Sequence, residues 1–286
     1  MKYSHAESLV LHAFQIMSTS ATHVVSSKRI LLSVGVILCF CLVFGVSLII
    51  FEFNQQWMLR IHVDPILPNW FWSLINLFGD AWVVLLILLV SERRPGAMTS
   101  WILKTWLAGA AVVQLIKYLS PMPRPANVLG KEMLTLIDHP PLFSGSMPSG
   151  HAFAAISCAL ILVTVMKQRG VNQSYLWMIA AFAGLVSWAR VAVGAHWPSD
   201  VIVGAGLAFF VVALTYVWET RSSWNHWLSS KHGAVLLVLI HLLIAVYLLV
   251  PQSDFLLVQI FQLSLACLSV SKAIYLIKVS LWFRTT

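Results

Sequence analysis

The sequence predicts an all-α fold: a polytopic transmembrane helix bundle of about eight spans. Three observations carry that expectation. Hydrophobic residues make up 59% of the chain and charged residues only 10%, where an ordinary soluble domain carries about 25% charged residues. The mean hydropathy is +0.86. The apolar residues also fall in runs of the length a bilayer core demands, roughly 20 residues of helix per crossing. The residues that would cover a soluble surface are missing. A soluble enzyme, a disordered tail and a nucleic-acid binder in aqueous solution are therefore excluded.

Each element follows from the pattern in turn. Residues 1–29 are mixed and polar and are expected to form a cytoplasmic N-terminal segment. The run from Ile30 to about Phe53 is too long for a signal-peptide core and ends in no small-residue cleavage pattern, so it is expected to be a retained span. The second run, Asn69 to Val90, is interrupted at Gly79-Asp80, where Asp80 reads as the cap of a broken helix. The third runs from about Ser100 to Leu119. An irregular loop follows over about 120–147, with Pro121, Pro123, Pro125, Pro140, Pro141 and Pro148 in or beside it. That density of proline excludes a continuous helix, because each one removes a donor and clashes with the preceding turn. Further spans are expected over about His151–Val165, Ser174–Val193, Asp200–Val217, Ala234–Val250 and Phe255–Val279.

The four cysteines, Cys39, Cys41, Cys158 and Cys267, all sit inside apolar runs with no CxxC spacing. They read as small buried hydrophobes, neither a disulfide framework nor a zinc site. His241 sits in the middle of the seventh run and reads as one side of an interhelical hydrogen bond.

The net charge of +8 reads as topology. With the N-terminus in the cytoplasm, only Arg60, Lys117, Arg124, Lys131 and Arg190 fall on the outer side. The other 13 of the 18 basic residues fall inside, as the positive-inside rule requires. Both termini are then cytoplasmic, and the 120–147 loop and the 194–199 turn share the outer face.

Three short patterns occur at those outer helix ends: Lys117 with Arg124-Pro125, then Pro148-Ser149-Gly150-His151, then Arg190 with His196 and Asp200. A helix-end lysine such as Lys117 can simply snorkel, and Arg124 can anchor a lipid headgroup. Arg190 lies within an apolar stretch and needs a partner there. Together the three cations suit a phosphoryl group, whose oxygens accept forked guanidinium bonds. Ser149-Gly150 precede a helix, where free backbone N–H groups and the dipole favour an anion; a plain serine cap is the alternative. His196 and Asp200 are four apart, so their side chains can meet. A carboxylate on one imidazole nitrogen fixes the tautomer and leaves the other free to attack phosphorus. Asp200 can equally be a helix-start cap. His151 is a candidate acid for a leaving oxygen.

Taken together, the three patterns resemble the type 2 phosphatidic acid phosphatase (PAP2) family, in its membrane lipid phosphatase branch. The family pattern is K-x6-R-P, P-S-G-H and S-R-x5-H-x3-D, and order, spacing and outward placement agree over roughly residues 70–220. One position departs: Ala189 stands where the family often has Ser. The resemblance implies a six-span PAP2-like core with two added C-terminal spans, divided as 1–29, 30–221 and 222–286. It also implies roles. His196 is the nucleophile forming a phosphohistidine, Asp200 orients it, and His151 is the general acid. Lys117, Arg124, Ser149, Gly150 and Arg190 hold the phosphoryl oxygens. No cofactor and no metal are implied.

The implied partners are the bilayer and a lipid phosphate or diphosphate, namely undecaprenyl diphosphate, phosphatidylglycerol phosphate, phosphatidate or lipid A. No nucleic acid is expected. The implied location is a bacterial inner (cell) membrane with the site facing the periplasm or exterior. Two other readings remain: a phosphotransferase passing the phosphoryl group to a second lipid, and a non-catalytic phospholipid-binding transporter. The 126–146 loop, with Lys131, Glu132 and Asp138, is expected to shape headgroup choice, while the two C-terminal spans have no assigned role.

Overall fold

The computed structural model describes residues 34–49, 52–63, 67–120, 122–138 and 145–282. The expected N-terminal segment 1–29 and the start of the first run lie outside the described residues. The elements are α1 (Val34–Ile49), α2 (Phe53–Val63), α3 (Asn69–Leu77), α4 (Ala81–Ser91), α5 (Ala97–Leu119), α6 (Pro125–Leu129), α7 (Gly150–Gln168), α8 (Gln173–Ala192), α9 (Pro198–Arg221), α10 (Asn225–Leu228), α11 (Lys231–Leu249) and α12 (Leu256–Trp282). A single 3-10 turn, Lys131–Met133, follows α6. Among the described residues, six helices are long and apolar enough to cross a membrane: α5, α7, α8, α9, α11 and α12. Two bent pairs, α1 with α2 and α3 with α4, raise the number to eight if each pair is one crossing. The protein is an all-helical, multi-pass integral membrane protein.

The break in the second run falls where expected. α3 and α4 meet at 56°, and Asp80 caps α4 by accepting from the N–H groups of Trp82 (2.9 Å) and Val83 (3.2 Å). At Gly79 an added Cβ would lie 3.1 Å from the Cβ of His151 and 3.0 Å from Val186. The bend therefore brings this backbone close against α7 and α8.

α2 was not legible as a helix, because Asn54, Gln55, Gln56, Arg60 and His62 make it polar. It earns its conformation through tertiary contacts. Asn54 clasps the start of α9: its Nδ2 donates to Ser199 Oγ (2.8 Å) and its Oδ1 accepts from Ser199 N (3.1 Å). His62 Nδ1 accepts from Thr135 N (3.2 Å). An amide can only donate, so the ring proton is on Nε2, which donates to Val191 O (3.0 Å).

α7 packs against α8 and α9, and α5 packs against α9. α11 and α12 form a hairpin that docks on α3 and α4. The largest apolar cluster joins Leu86 of α4, Ile102 of α5, Ile161 of α7 and Ile244 of α11, so the last two helices share the core of the rest. Within the hairpin, His241 pairs with Ser269: its Nδ1 lies 3.2 Å from Ser269 Oγ, which donates to His241 O (2.7 Å). That is the expected interhelical contact. The cysteines differ from expectation. All are free, but Cys39 and Cys267 are exposed and the other two only half-buried. In a bilayer an apolar run has no need to hide its outer face, so apolar context does not imply burial.

At the end of the bundle opposite the sequence motifs, α5, α9 and the turn after α9 are tied by Lys104. Its ammonium is wholly buried and pairs with Glu219 at 2.6 Å. It also donates to Ser222 O and lies about 5 Å from the rings of Trp218 and Trp224.

Candidate active site

Three helix ends converge on one cavity of about 400 Å³. The first is the N-terminus of α7. Ser149 caps it, its Oγ accepting from Ala152 N at 3.3 Å. Ser149 N in turn donates to Asp200 O at 3.0 Å, which locks the start of α7 to the start of α9.

The second is the turn between α8 and α9. Gly194 adopts φ +78°, a left-handed conformation that glycine reaches without strain. The amides of Ala195 and His196 then both donate to Arg190 O, at 3.1 Å each. Arg190 and His196 are thus held by the same backbone turn, although six positions apart. Asp200, on the first turn of α9, has Oδ2 in three contacts: Trp197 N at 2.8 Å, Ser146 Oγ at 2.5 Å and His196 Nδ1 at 3.3 Å. A carboxylate can only accept, so Nδ1 carries the proton and Nε2 is the free nitrogen of the ring. Asp200 Oδ1 is buried without a partner.

The third is the C-terminal end of α5 and the loop beyond it. Lys117 Nζ donates to Gly145 O at 2.7 Å, and Arg124 NH1 donates to Ala195 O at 2.8 Å. Arg190, 6% exposed, donates from NH1 to Asn76 Oδ1 at 2.6 Å. That is the partner its apolar setting required. Its Nε is buried with no partner.

Six of the eight sequence-selected residues line the cavity: Lys117, Arg124, Gly150, His151, Arg190 and His196. Asp200 and Ser149 are fully buried behind them. Asp200 bears on the cavity through His196. The Ser149 hydroxyl is used as the cap, the alternative its sequence context offered. Ala189 is fully buried and packs with Ile75, Ala155 and Val186, so its methyl group faces the core.

Burial holds the His196 imidazole well below the usual histidine range, and the Arg190, Arg124 and Lys117 cations lower it further. Its ring is therefore neutral at neutral pH. Burial also lowers Arg124, with the nearby Asp200 carboxylate opposing. Among the described residues, no three His, Cys, Asp or Glu side chains group as a metal site.

The cavity has a further wall that sequence reasoning missed. Asn76 and Asp80 come from the broken α3–α4 run, and Asp138 from the proline-rich loop. Tyr247, Gln252 and Ser253 come from α11 and the turn after it. Asn76 carried a signal, as an isolated amide in an apolar run. Tyr247 carried none, because its partner, Asp80, is 167 positions away. Of the loop residues expected to shape the site, Asp138 lines the cavity, while Lys131 and Glu132 are exposed.

The fold and the cavity define a class: a multi-pass helical membrane protein with a buried His–Asp pair facing three cations. Residues 99–224 match the PAP2 superfamily, the family that the three motifs resemble. It is 28% identical over 140 residues to an undecaprenyl-diphosphatase of Sulfolobus acidocaldarius; the match takes in 49% of this chain and 64% of the relative, so less than two-thirds of that protein is represented. Two solved structures are similar over part of the chain. Aquifex aeolicus LpxE has a TM-score of 0.45 at 22% identity, over 59% of this chain and 96% of that one. A transmembrane PAP2-type phosphatidylglycerolphosphate phosphatase from Bacillus subtilis has a TM-score of 0.42 at 18% identity, over 66% of this chain and 96% of that one.

Proposed function

We propose that the protein is a lipid phosphate or diphosphate phosphatase acting through a phosphohistidine. The observation that carries this reading is the Asp200–His196 pair, 3.3 Å apart, with Nε2 free and Lys117, Arg124 and Arg190 around one cavity. Phosphate binding alone would need the cations but no oriented imidazole.

In the first step His196 Nε2 attacks phosphorus. The N–P bond forms as the P–O bond to the leaving alcohol or phosphate breaks. His151, on the same cavity, supplies the proton to the leaving oxygen. Asp200 holds the ring and offsets the positive charge that develops on it. In the second step water attacks phosphorus, His151 takes its proton, and the P–N bond breaks to release phosphate and neutral His196. Covalent catalysis divides one hard displacement into two. The three fixed cations, with the Gly150 N–H at the start of α7, stabilise the charge spread over the equatorial oxygens. The reaction needs no metal in this scheme, so EDTA leaves it unchanged.

The substrate we favour is undecaprenyl diphosphate, the lipid named in the Sulfolobus relative; phosphatidylglycerol phosphate, phosphatidate and lipid A are the comparison set. The distribution of basic residues favours both termini inside a bacterial inner membrane, with the cavity opening outward. Residues 30–221 then form the catalytic core and 222–286 an added helix pair.

The test is phosphate release by detergent-purified protein from each lipid, with and without EDTA, beside His196→Ala. We expect release from at least one lipid and its loss in the variant. Release that survives in His196→Ala overturns the nucleophile assignment. Release from no lipid overturns the hydrolase reading.

A further inference from the structure

The α11–α12 pair lies beyond the matched PAP2 segment, which ends at residue 224, yet it reaches the cavity. Tyr247 Oη donates to Asp80 Oδ2 at 2.8 Å. On the rim, Ser73 Oγ donates to Asp138 Oδ1 at 2.8 Å and meets Ser253 Oγ at 2.8 Å. Through these bonds the hairpin joins α3 and the proline-rich loop in lining the cavity.

Tyr247 also borders a second space. An apolar slot of about 290 Å³ runs beneath the polar cavity between α4, α5 and α7. The two spaces share Asp80, Gln114, Gly150, His151 and Tyr247. The slot therefore begins at the residues where a bound phosphoryl group would sit. Along α7 it extends from Gly150 to Ile161, roughly 16 Å at the helical rise. That is about half of the ~30 Å hydrocarbon core, the depth of one leaflet.

One feature marks the slot as more than a packing defect, and a second provides a position at which to test it. Trp82 stands beside its mouth, with its ring 6.1 Å from Tyr247 and 5.2 Å from Trp106. Partway down, Ser157 is only 4% exposed, and its Oγ has no partner. A buried hydroxyl without a partner is costly, and its place is in the wall of the slot.

We propose that the slot holds the phosphate-proximal part of the apolar tail of the same molecule whose phosphoryl group lies at His196, and that Tyr247, brought to its mouth by the added helix pair, makes this pair the element that selects the tail. The inference rests on the phosphatase reading above. It differs from it in claiming that this part of the tail lies inside the bundle rather than along its lipid-facing surface.

Ser157→Phe tests it. The ring fills the slot and removes the orphan hydroxyl, so the melting temperature should not fall. The KM for a long-tailed lipid phosphate should rise at least tenfold, while kcat/KM for a short, water-soluble alkyl phosphate stays within twofold. A non-hydrolysable long-tailed alkylphosphonate should raise the melting temperature of the unaltered protein and not of the variant, whereas butylphosphonate should act equally on both. Tyr247→Trp, which narrows the mouth from the α11 side and also alters the cavity wall, should lower kcat/KM for both esters, and more for the long-tailed one than for the short one. Equal effects on long and short substrates, or no effect of either substitution, overturn the proposal. If the unaltered protein hydrolyses neither ester but the phosphonate pattern appears, the phosphatase reading fails while the tail site stands.

Discussion

Gly204→Ala is the sharpest single test of how the fold aligns the site. Gly204 lies one turn into α9 beyond Asp200. A Cβ there would sit 2.5 Å from Ser149 O, and 3.4 Å from that residue's N and C atoms. Ordinary contact begins near 3.4 Å, so α9 and the start of α7 must part by about 0.9 Å. The opposing atom is backbone, and it cannot swing aside: Ser149 O already accepts from Phe153 N at 3.1 Å, and Ser149 N donates to Asp200 O at 3.0 Å.

Overpacking of this kind costs about 1–3 kcal/mol, while alanine improves on glycine inside a helix by about 1 kcal/mol. Net destabilisation should therefore be modest, about 0–2 kcal/mol. Activity should suffer far more. The displacement separates His151 and Gly150, on α7, from Asp200 and His196, and misplacing reacting groups by ~1 Å costs about 10²-fold. The assay is kcat/KM for phosphate release beside thermal unfolding in detergent. Gly184→Ala on α8, where an added Cβ meets nothing within 4 Å, is the control. A Gly204→Ala protein that keeps more than half its activity would refute the claim that this contact sets the alignment.

Other expectations are independent of that one. Lys104→Met should destabilise by about 3–5 kcal/mol, the usual cost of stranding one partner of a buried pair, because Glu219 already has an unpartnered Oε1; adding Glu219→Leu should recover most of the loss. Thermal unfolding checks both, and a Lys104→Met protein as stable as its parent would count against the reasoning. The acid limb of kcat/KM set by His196 should lie below pH 6.5, because burial and three cations disfavour its protonated form. Lys117→Met removes one of those cations, so in the variant the limb should move up in pH, toward 6.5. Ionisation of the substrate is common to both proteins and cancels in the comparison. A limb that moves down or stays put would show that the Lys117 charge does not reach the ring.

The spans and the catalytic candidates were largely legible in the sequence. Every span expected from Asn69 onward is helical, with ends shifted by a few residues. A bilayer imposes this legibility: each crossing must satisfy its own backbone, so the hydropathy of about 20 consecutive residues decides it locally. The His196–Asp200 contact was legible for a similar reason, since residues four apart near a helix start come together through local geometry. The break at Asp80 was legible because a capping carboxylate stood in an apolar run.

α2 was not, because its helix depends on Asn54 reaching Ser199, 145 positions away. Nor was the choice between the two uses of Ser149, which packing of α7 against α9 decides. The sequence by itself thus determined that this chain crosses a membrane many times, and which polar groups it carries to the helix ends. Only the tertiary structure decided that those ends share one cavity, and that Tyr247 of the last hairpin meets Asp80 in its wall. Hydropathy and spacing act along the chain within a few turns; the direction in which a side chain meets one from a distant helix is set by how the helices pack.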